Sequence, residues 1–438
     1  MSQWVDRSIK DLCVAIVDCV NKTAPSQTDP TPYKMLRTTN VRGGWVDTTN
    51  VKYVDQPTYA KWTRRMVLEP GDIILTREAP FGDVGMLRSD DQVFLGQRLV
   101  MYRPDLMECD PNFLMYSMMG PTVQAELKSL ASGSTVEHLR VPDCEKITVP
   151  CPSLDDQKRI GSILRSLDDL IENNRRRVEV LEEMARVIYR EWFVKFRYPG
   201  HKHVPFVDSV LGSIPEGWGF HPFSAVVEDH IGGGWGTEQG EPGSEEPGYV
   251  IRGTDIPRVA QSDVTTVPFR FHRESNLRSR RLRPGDIVFE VSGGSKGQPV
   301  GRSVLVRQSL LDEFDAPAMC ASFCKLVRIN PNVAEPTILI RVLQDAYTSG
   351  QLNSYQVQST GITNFRWKPF LEHFKVVLPP EHLQKELVQT LERLDELVAN
   401  SGRRIRALTQ IRDMLLPKLV SGQIDVSSLE LGAFIGAG

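Results

Sequence analysis

Several stretches of this chain carry residue types suited to catalysis, and none assembles a complete site. Asp29-Pro30-Thr31-Pro32-Tyr33 has part of the Asp-Pro-Pro-Tyr used in amino-methyl transfer, but Thr31 interrupts it and no Gly-rich strand-to-helix turn precedes it. Ser292-Gly-Gly-Ser-Lys296-Gly lacks the spacing of a phosphate-binding loop, and Asp286, Glu290 and Lys296 lack the Glu-x-Lys step of a nuclease. Gly232, Gly233, Gly234 and Gly236 flank Trp235 in a Gly-, Glu- and Pro-rich stretch running to Gly248, which reads as a loop and not as a dinucleotide fingerprint. His201 and His203 form an H-x-H with no further ligand at hand, the pattern of a surface linker. Seven cysteines (13, 19, 109, 144, 151, 320 and 324) include no C-x-x-C pair, so idle or buried thiols are expected in place of a metal or disulfide framework.

Another chemistry needs only cationic and amide side chains on exposed loops, some for phosphates and some for base edges. The front of the chain offers Arg37, Thr39, Asn40, Arg42, Lys61, Arg64, Arg65, Arg77, Gln97, Arg98 and the turn from Ser132 to Ser134. The second half offers Arg252, Thr254, Arg273, Arg278, Arg280, Arg281, Arg283, Lys296, Gln298, Arg302, Gln356, Gln358, Asn364 and Arg366. Arg278 to Arg283 is a dense basic run, either a solvated loop or a stripe that tracks phosphates. Arg37 and Arg252 sit at matched positions beside short strands, where they clasp phosphate, read guanine or form a salt bridge within the domain.

The elements that must position these residues are written twice. Leu68-Glu-Pro70-Gly71-Asp72-Ile73-Ile74 recurs as Leu282-Arg-Pro284-Gly285-Asp286-Ile287-Val288, an offset of 214 from Pro70 to Pro284. Trp4 finds Trp218 at the same offset, and Leu36-Arg37-Thr-Thr39-Asn40-Val41 finds Ile251-Arg252-Gly-Thr254-Asp255-Ile256 one residue further out. Val149 to Gln157 aligns with Val376 to Gln384 at an offset of 227, so the second copy holds about 13 extra residues before its Pro-rich turn. Pro-Gly-Asp ahead of a β-branched run is turn chemistry leading into a strand, not a ligand contact.

After each Pro-rich turn the apolar positions step by four and three. The first seam is Ile160, Leu164, Leu167, Ile171, Asn174, Val178, Leu181, Ala185, Ile188 and Trp192. The second, at the same offset of 227, is Leu387, Leu391, Leu394, Val398, Ser401, Ile405, Leu408, Arg412, Leu415 and Leu419. Such a seam predicts a long coiled-coil helix, and the nearest partner for one copy is the other. Antiparallel pairing would bring the polar steps Asn174 and Ser401 together as a register-fixing contact. A helix from Ile160 to Trp192 spans roughly 48 Å, long enough to set two sites one duplex turn apart, about 34 to 36 Å.

Composition frames this plan. A chain of 438 residues has room for more than one core, and 40% hydrophobic with 24% charged residues is the balance of a folded, soluble protein. No apolar run approaches a membrane span and the start lacks a signal layout, so a cytoplasmic location is expected. Net charge is −3, from 52 basic and 55 acidic residues, so any nucleic-acid surface must be local.

The two-fold plan of globular domain, Pro-x-x-x-x-Gln turn and long helix resembles the specificity subunits of type I restriction-modification systems. The residues that carry the likeness are Leu68 to Ile74 and its echo, Phe94-Leu-Gly96-Gln97-Arg98, the stretches around Gly133 and Gly361, Pro152 to Gln157, Ile214-Pro-Glu-Gly-Trp218, and Leu419-Val-Ser-Gly422-Gln-Ile424. Together they span nearly the whole chain. The resemblance implies an α/β fold of two similar target-recognition domains, separated and joined by two long antiparallel coiled-coil helices in a pseudo-two-fold repeat. Its boundaries are recognition domain 1–151, spacer helix 152–200, recognition domain 201–378, spacer helix 379–425 and tail 426–438. It implies a non-catalytic DNA-binding role in phage defence, with each domain reading half of a bipartite target. The implied partners are double-stranded DNA, two methylation subunits and restriction/translocase subunits; S-adenosylmethionine, ATP and Mg are expected on those subunits, and no cofactor or metal in this chain. Two departures stand out: Asp156 precedes the Gln of the first turn where the second has Leu383, and Arg412 interrupts the second seam. The competing readings are a coiled-coil scaffold that never touches DNA and a divergent methyltransferase or nuclease.

Overall fold

The computed structural model describes residues 4–133, 137–209, 212–293, 298–359 and 361–429. It divides into two compact units, residues 1–171 with 408–438, and residues 172–407.

The first unit is built on a six-stranded sheet in the order Cys13–Asp18, Leu99–Pro104, Ile73–Arg77, Phe81–Met86, Gly44–Val46, Val41–Arg42. A smaller sheet orders Lys52–Tyr53, Tyr33–Leu36 and Gln92–Leu95, and Val5–Ser8 pairs with Thr148–Cys151. Helices Pro111–Met119 and Pro121–Leu130 share a core with the large sheet, where Phe113, Leu114, Val123 and Leu127 meet Ile73, Leu75, Val84 and Val100.

The second unit repeats this topology. Val227–Gly232, Cys324–Ile329, Ile287–Glu290 and Ser303–Leu305 follow the order of the first four strands above. Phe269–His272, Glu246–Ile251 and Ala318–Cys320 copy the small sheet, antiparallel on one side and parallel on the other. Gly219–Pro222 with Lys375–Leu378 copies the outer pair.

The duplicated motifs explain why. In the Pro-Gly-Asp turn the Asp72 carboxylate accepts from the Glu69 amide at 2.8 Å and from Nε and Nη2 of Arg103, both at 2.8 Å, on the neighbouring strand. Asp286 does the same with the Arg283 amide and with Arg328. A buried carboxylate that closes its own turn and pairs bidentately is fully satisfied, which is what lets this turn sit at the base of the sheet. In the Pro-x-x-x-x-Gln turn, Gln157 donates to the Pro152 carbonyl and accepts from the Asp110 amide at 3.1 Å, tying the long helix to the start of Pro111–Met119. Gln384 makes the matching pair with Pro379 and Glu335. The departure beside it is local: Asp156 accepts from Ser153 and Arg159, whereas Leu383 is buried in the apolar core.

The long helices run Leu154–Tyr189 and Glu381–Leu419, and every seam position is buried or half-buried. Within the first unit Ile160 and Leu164 share a core with Leu416 and Leu419. Within the second, Val178, Leu181 and Ala185 share one with Leu387, Leu391, Leu394 and Val398. Each fully buried Leu or Ile of this kind contributes about 1.5 to 3 kcal/mol. At Gly402 an added Cβ would collide with the Gln261 carbonyl, so only glycine lets this helix lie so close to the domain backbone.

The seam departs from expectation at its end. The α-helix stops at Tyr189 and Arg190–Val194 forms a π turn, whose extra residue rotates the face. Tyr189 and Phe193 are therefore the buried pair, stacked at 5.0 Å, while Trp192 is only half-buried.

Arg412 is explained by its partners. Asp168, 1% exposed, accepts from the Tyr116 hydroxyl at 2.6 Å and from Arg412 Nη1 at 3.0 Å. Arg88 lies over the Trp45 ring at 3.8 Å, its nitrogens buried and without a hydrogen-bond partner among the described residues, and burial followed by the charge of Arg165 lowers its pKa. The second unit has the counterpart: Asp395, which the repeat offset of 227 matches to Asp168, accepts from Arg307 and Arg341.

All seven cysteines are free thiols and six are buried, Cys13 being half-buried. Burial pushes the thiols of Cys13 and Cys320 up to about 12 and those of Cys144 and Cys151 up to about 11.

Candidate nucleic-acid interface

In the first unit the strand Gln92–Leu95 passes to Leu99–Pro104 through a tight turn at Gly96-Gln97-Arg98. Arg98 takes a left-handed backbone, φ 71°, and its carbonyl accepts from the Arg77 amide at 2.8 Å. That fixed backbone leaves both side chains exposed, Gln97 accepting from Thr23 and Arg98 facing Glu78 at 3.3 Å. Thr39 and Arg42 are exposed near the sheet edge, and Lys61 and Arg64 at the end of helix Gln56–Trp62. Thr38, which lies between Arg37 and Thr39, donates to the Ala79 carbonyl and so holds this edge in place.

Other residues expected to face DNA have their donors engaged inside the unit. Asn40 is buried, accepting from the Arg37 amide and donating to the Asn50 carbonyl. Arg37 donates to the same carbonyl. Arg77 is buried and donates to the Leu139 carbonyl at 2.9 Å, and Arg65 pairs with Asp18. Ser132 is exposed and bonded to His138, while Ser134 lies outside the described residues.

The second unit sorts the same way. Arg252 forks onto Asp255, with Nε at 2.9 Å and Nη2 at 2.8 Å, so of the three roles open to it the internal salt bridge is present. Arg302 pairs with buried Glu290. Gln356 clasps the Val300 backbone from both ends, and Asn364 bonds Ser292 and Ser359. Within the basic run Arg278 faces Glu274 at 3.7 Å and Arg280 donates to the Gly232 carbonyl at 2.9 Å, whereas Arg281 and Arg283 are exposed beside an open cavity. Arg273, Thr254, Gln298, Gln358 and Arg366 are exposed, Arg366 donating to the Ser354 carbonyl. Lys296 lies outside the described residues.

Reading by residue type missed the exposed apolar groups. Trp235, Phe323 and Ile362 stand 41, 58 and 41% exposed around one cavity of about 510 Å³ in the second unit. The sequence offsets of 214 and 227 do not bring Phe323 onto Arg98, 225 residues apart, and its equivalence shows only in the backbone. The Arg98 carbonyl accepts from Arg77 and the Phe323 carbonyl from Val291 at 2.9 Å, and Val291 matches Arg77 at the repeat offset of 214. The two turns are equivalent.

A family model described as type I restriction modification DNA specificity domain matches residues 1–183. The chain is 24% identical over 383 residues to the type I restriction enzyme MjaIX specificity subunit of Methanocaldococcus jannaschii, covering 83% of this chain and 80% of that protein. It is 21% identical over 436 residues to the type I restriction enzyme EcoKI specificity subunit of Escherichia coli K12, covering 89% and 82%. Among solved structures, the S subunit of a type I restriction-modification system from M. genitalium matches with a TM-score of 0.58 at 16% identity, over 95% of this chain and 96% of that one, a likeness of fold.

Proposed function

We infer that the chain belongs to the family of type I restriction-modification specificity subunits, non-catalytic proteins of DNA target recognition and complex assembly. From that premise we propose that each unit carries one target-recognition domain, reads one half of a bipartite duplex target, and is held to the other by the two long helices as an antiparallel coiled coil. The observation that carries this reading is the repeated sheet order, each copy presenting exposed cationic and amide side chains on its loops. The helix pairing within each unit supports the antiparallel coil: the early part of the first helix shares a core with the late part of the second, and in the other unit the reverse. Half-buried Asn174 and buried Ser401, which fall in the same unit, are proposed as its register-fixing polar step. The boundaries proposed for these parts remain 1–151, 152–200, 201–378, 379–425 and 426–438.

The DNA-facing set is proposed to centre on Thr39, Arg42, Lys61, Arg64, Gln97 and Arg98 in the first domain. In the second it centres on Thr254, Arg281, Arg283, Gln298, Gln358 and Arg366. All are exposed, and phosphate contacts set affinity while base contacts set sequence. Partner docking is proposed on the outward helix faces. Met184 and Val187 are exposed on one helix, and Ile411 and Met414, their matches at the offset of 227, are exposed on the other. A duplicated apolar face suits two copies of one partner, the methylation subunits, which with the restriction subunits would bring S-adenosylmethionine, ATP and Mg. Among the described residues no helix is long and apolar enough to cross a membrane, in keeping with the proposed cytoplasmic location.

Co-expressing the chain with its methylation subunit and sequencing methylated adenines tests this. A motif of two short half-sites separated by a fixed unread spacer is expected, and deleting the chain should abolish it. Methylation that persists without the chain, or a single continuous motif, would refute the reading.

A further inference from the structure

The equivalence of the two turns sets Phe323 against Arg98. Both follow the edge of the small sheet, both have a carbonyl pinned by the same backbone bond, and both side chains are exposed. The Phe323 carbonyl accepts a second amide, from Ser292 at 3.1 Å. Its neighbour is held as firmly: Gly233 donates to the Cys324 carbonyl and Gly234 to the Cys320 carbonyl, and an added Cβ at Gly233 would collide with the Ala321 carbonyl. This backbone presents Trp235, whose ring carries the Arg270 guanidinium at 4.9 Å. Two aromatic rings thus stand in solvent on a backbone that cannot fold them away. Thr254, Gln298, Val300 and Ile362 complete the cavity between them.

Rigid, exposed aromatic rings at the rim of an apolar cavity are the mark of a binding surface. The surface continues into the candidate interface through Thr254 and Gln298, and Arg280, whose side chain approaches Gly234, brings positive charge to its edge. A polyanion with apolar bases at its centre fits that combination. Apolar side chains read DNA by touching a thymine methyl or by stacking on a base drawn from the helix.

We propose that Phe323, supported by Trp235, is a specificity-determining residue that reads the second half-site through apolar contact with a nucleobase, where the equivalent Arg98 of the first domain reads by charge and hydrogen bonding. This rests on the DNA-recognition reading above. It makes the two half-sites chemically unlike at one matched step.

The test uses the full chain co-expressed with its methylation subunit, as wild type, Phe323→Ala, Phe323→Leu and Trp235→Ala. Because these side chains are exposed, thermal unfolding should match wild type. Phe323→Ala should lose about tenfold in discrimination at one or two adjacent positions of one half-site and leave the other half-site unchanged. Phe323→Leu should retain the discrimination if a thymine methyl is touched and lose it if a ring must stack. Duplexes with uracil for thymine, or 2-aminopurine at the affected position, separate those two contacts: loss of affinity without the methyl marks the first, and a fluorescence rise on binding marks the second. A wild-type methylation pattern with no bipartite motif would overturn the functional reading itself. An intact motif with both alanine variants within twofold of wild type at every position would overturn this proposal alone.

Discussion

Replacing Asp168 with Asn should destabilise the first unit by about 3 kcal/mol, the lower end of the cost of leaving a buried charge without its counter-ion. The carboxylate is 1% exposed and holds Tyr116 at 2.6 Å and Arg412 at 3.0 Å, with the buried Arg88 guanidinium close enough to feel its charge. Asn keeps the shape and one acceptor, so the loss is the charge: Arg412 and Arg88 are then both cations in a low-dielectric site. Arg412→Leu should cost less, since it restores an apolar seam position and leaves Asp168 with Tyr116 and Arg88. The double variant should recover part of the sum, a coupling of about 1 to 2 kcal/mol, with the remainder traced to Arg88, which stays buried. Because the chain has two units, urea unfolding should be followed by hydrogen exchange in peptides from residues 154–171, which report the first unit. Strictly additive effects, or an Asp168→Asn cost below about 0.5 kcal/mol, would refute the idea that this carboxylate holds the domain to its helices.

Met184→Glu together with Ile411→Glu should leave unfolding nearly unchanged, because both sites are exposed, yet abolish co-purification of a methylation subunit; retained co-purification would move the docking face elsewhere. Arg281→Ala with Arg283→Ala should weaken binding about equally on all duplexes and lower the slope of log affinity against log salt by about 2, and an unchanged slope would remove the phosphate stripe. Burial lowers the pKa of His272 and of His230 below the usual 6.5, so the unfolded chain binds more protons. Stability from these sites is present above about pH 6.5 and is lost as pH falls toward their folded values. His272→Gln with His230→Gln should flatten the fall in urea midpoint between pH 7.5 and pH 5, and an equally steep fall would exclude both residues as its source.

The duplication was legible because its signatures are self-contained. Asp72 and Asp286 close their own turns, Gln157 and Gln384 reach the proline carbonyl five residues back, and the seams follow a period that needs no knowledge of the partner. Arg412 was opaque for the opposite reason: it is a fault in a seam until Asp168 and Tyr116, from two other elements, are brought to it. The candidate site was legible in chemistry and not in membership. Arg77 and Arg98 are the same residue type, but one points into a buried pocket against the Leu139 carbonyl and the other stands on a left-handed turn. Nothing in composition separates them, because the difference is the pleat of a strand against the geometry of its exit. Phe323 was missed because a search for cations and amides passes over aromatics, and because its equivalence with Arg98 lies at an offset of 225, between the 214 and 227 of the sequence repeat, and shows only in the backbone bonds of the two turns.

The state of the thiols has a practical corollary for following assembly. Burial raises the pKa of six of the seven thiols and Cys19 is itself buried, whereas the exposed anion is the species that alkylating reagents trap. The native chain should therefore be nearly silent toward maleimides while folded. A cysteine placed at position 184 or 411 would then take a fluorophore essentially alone, without prior removal of the seven natural ones. Such a probe would report occupancy of each outward face separately and show whether the second partner arrives independently of the first.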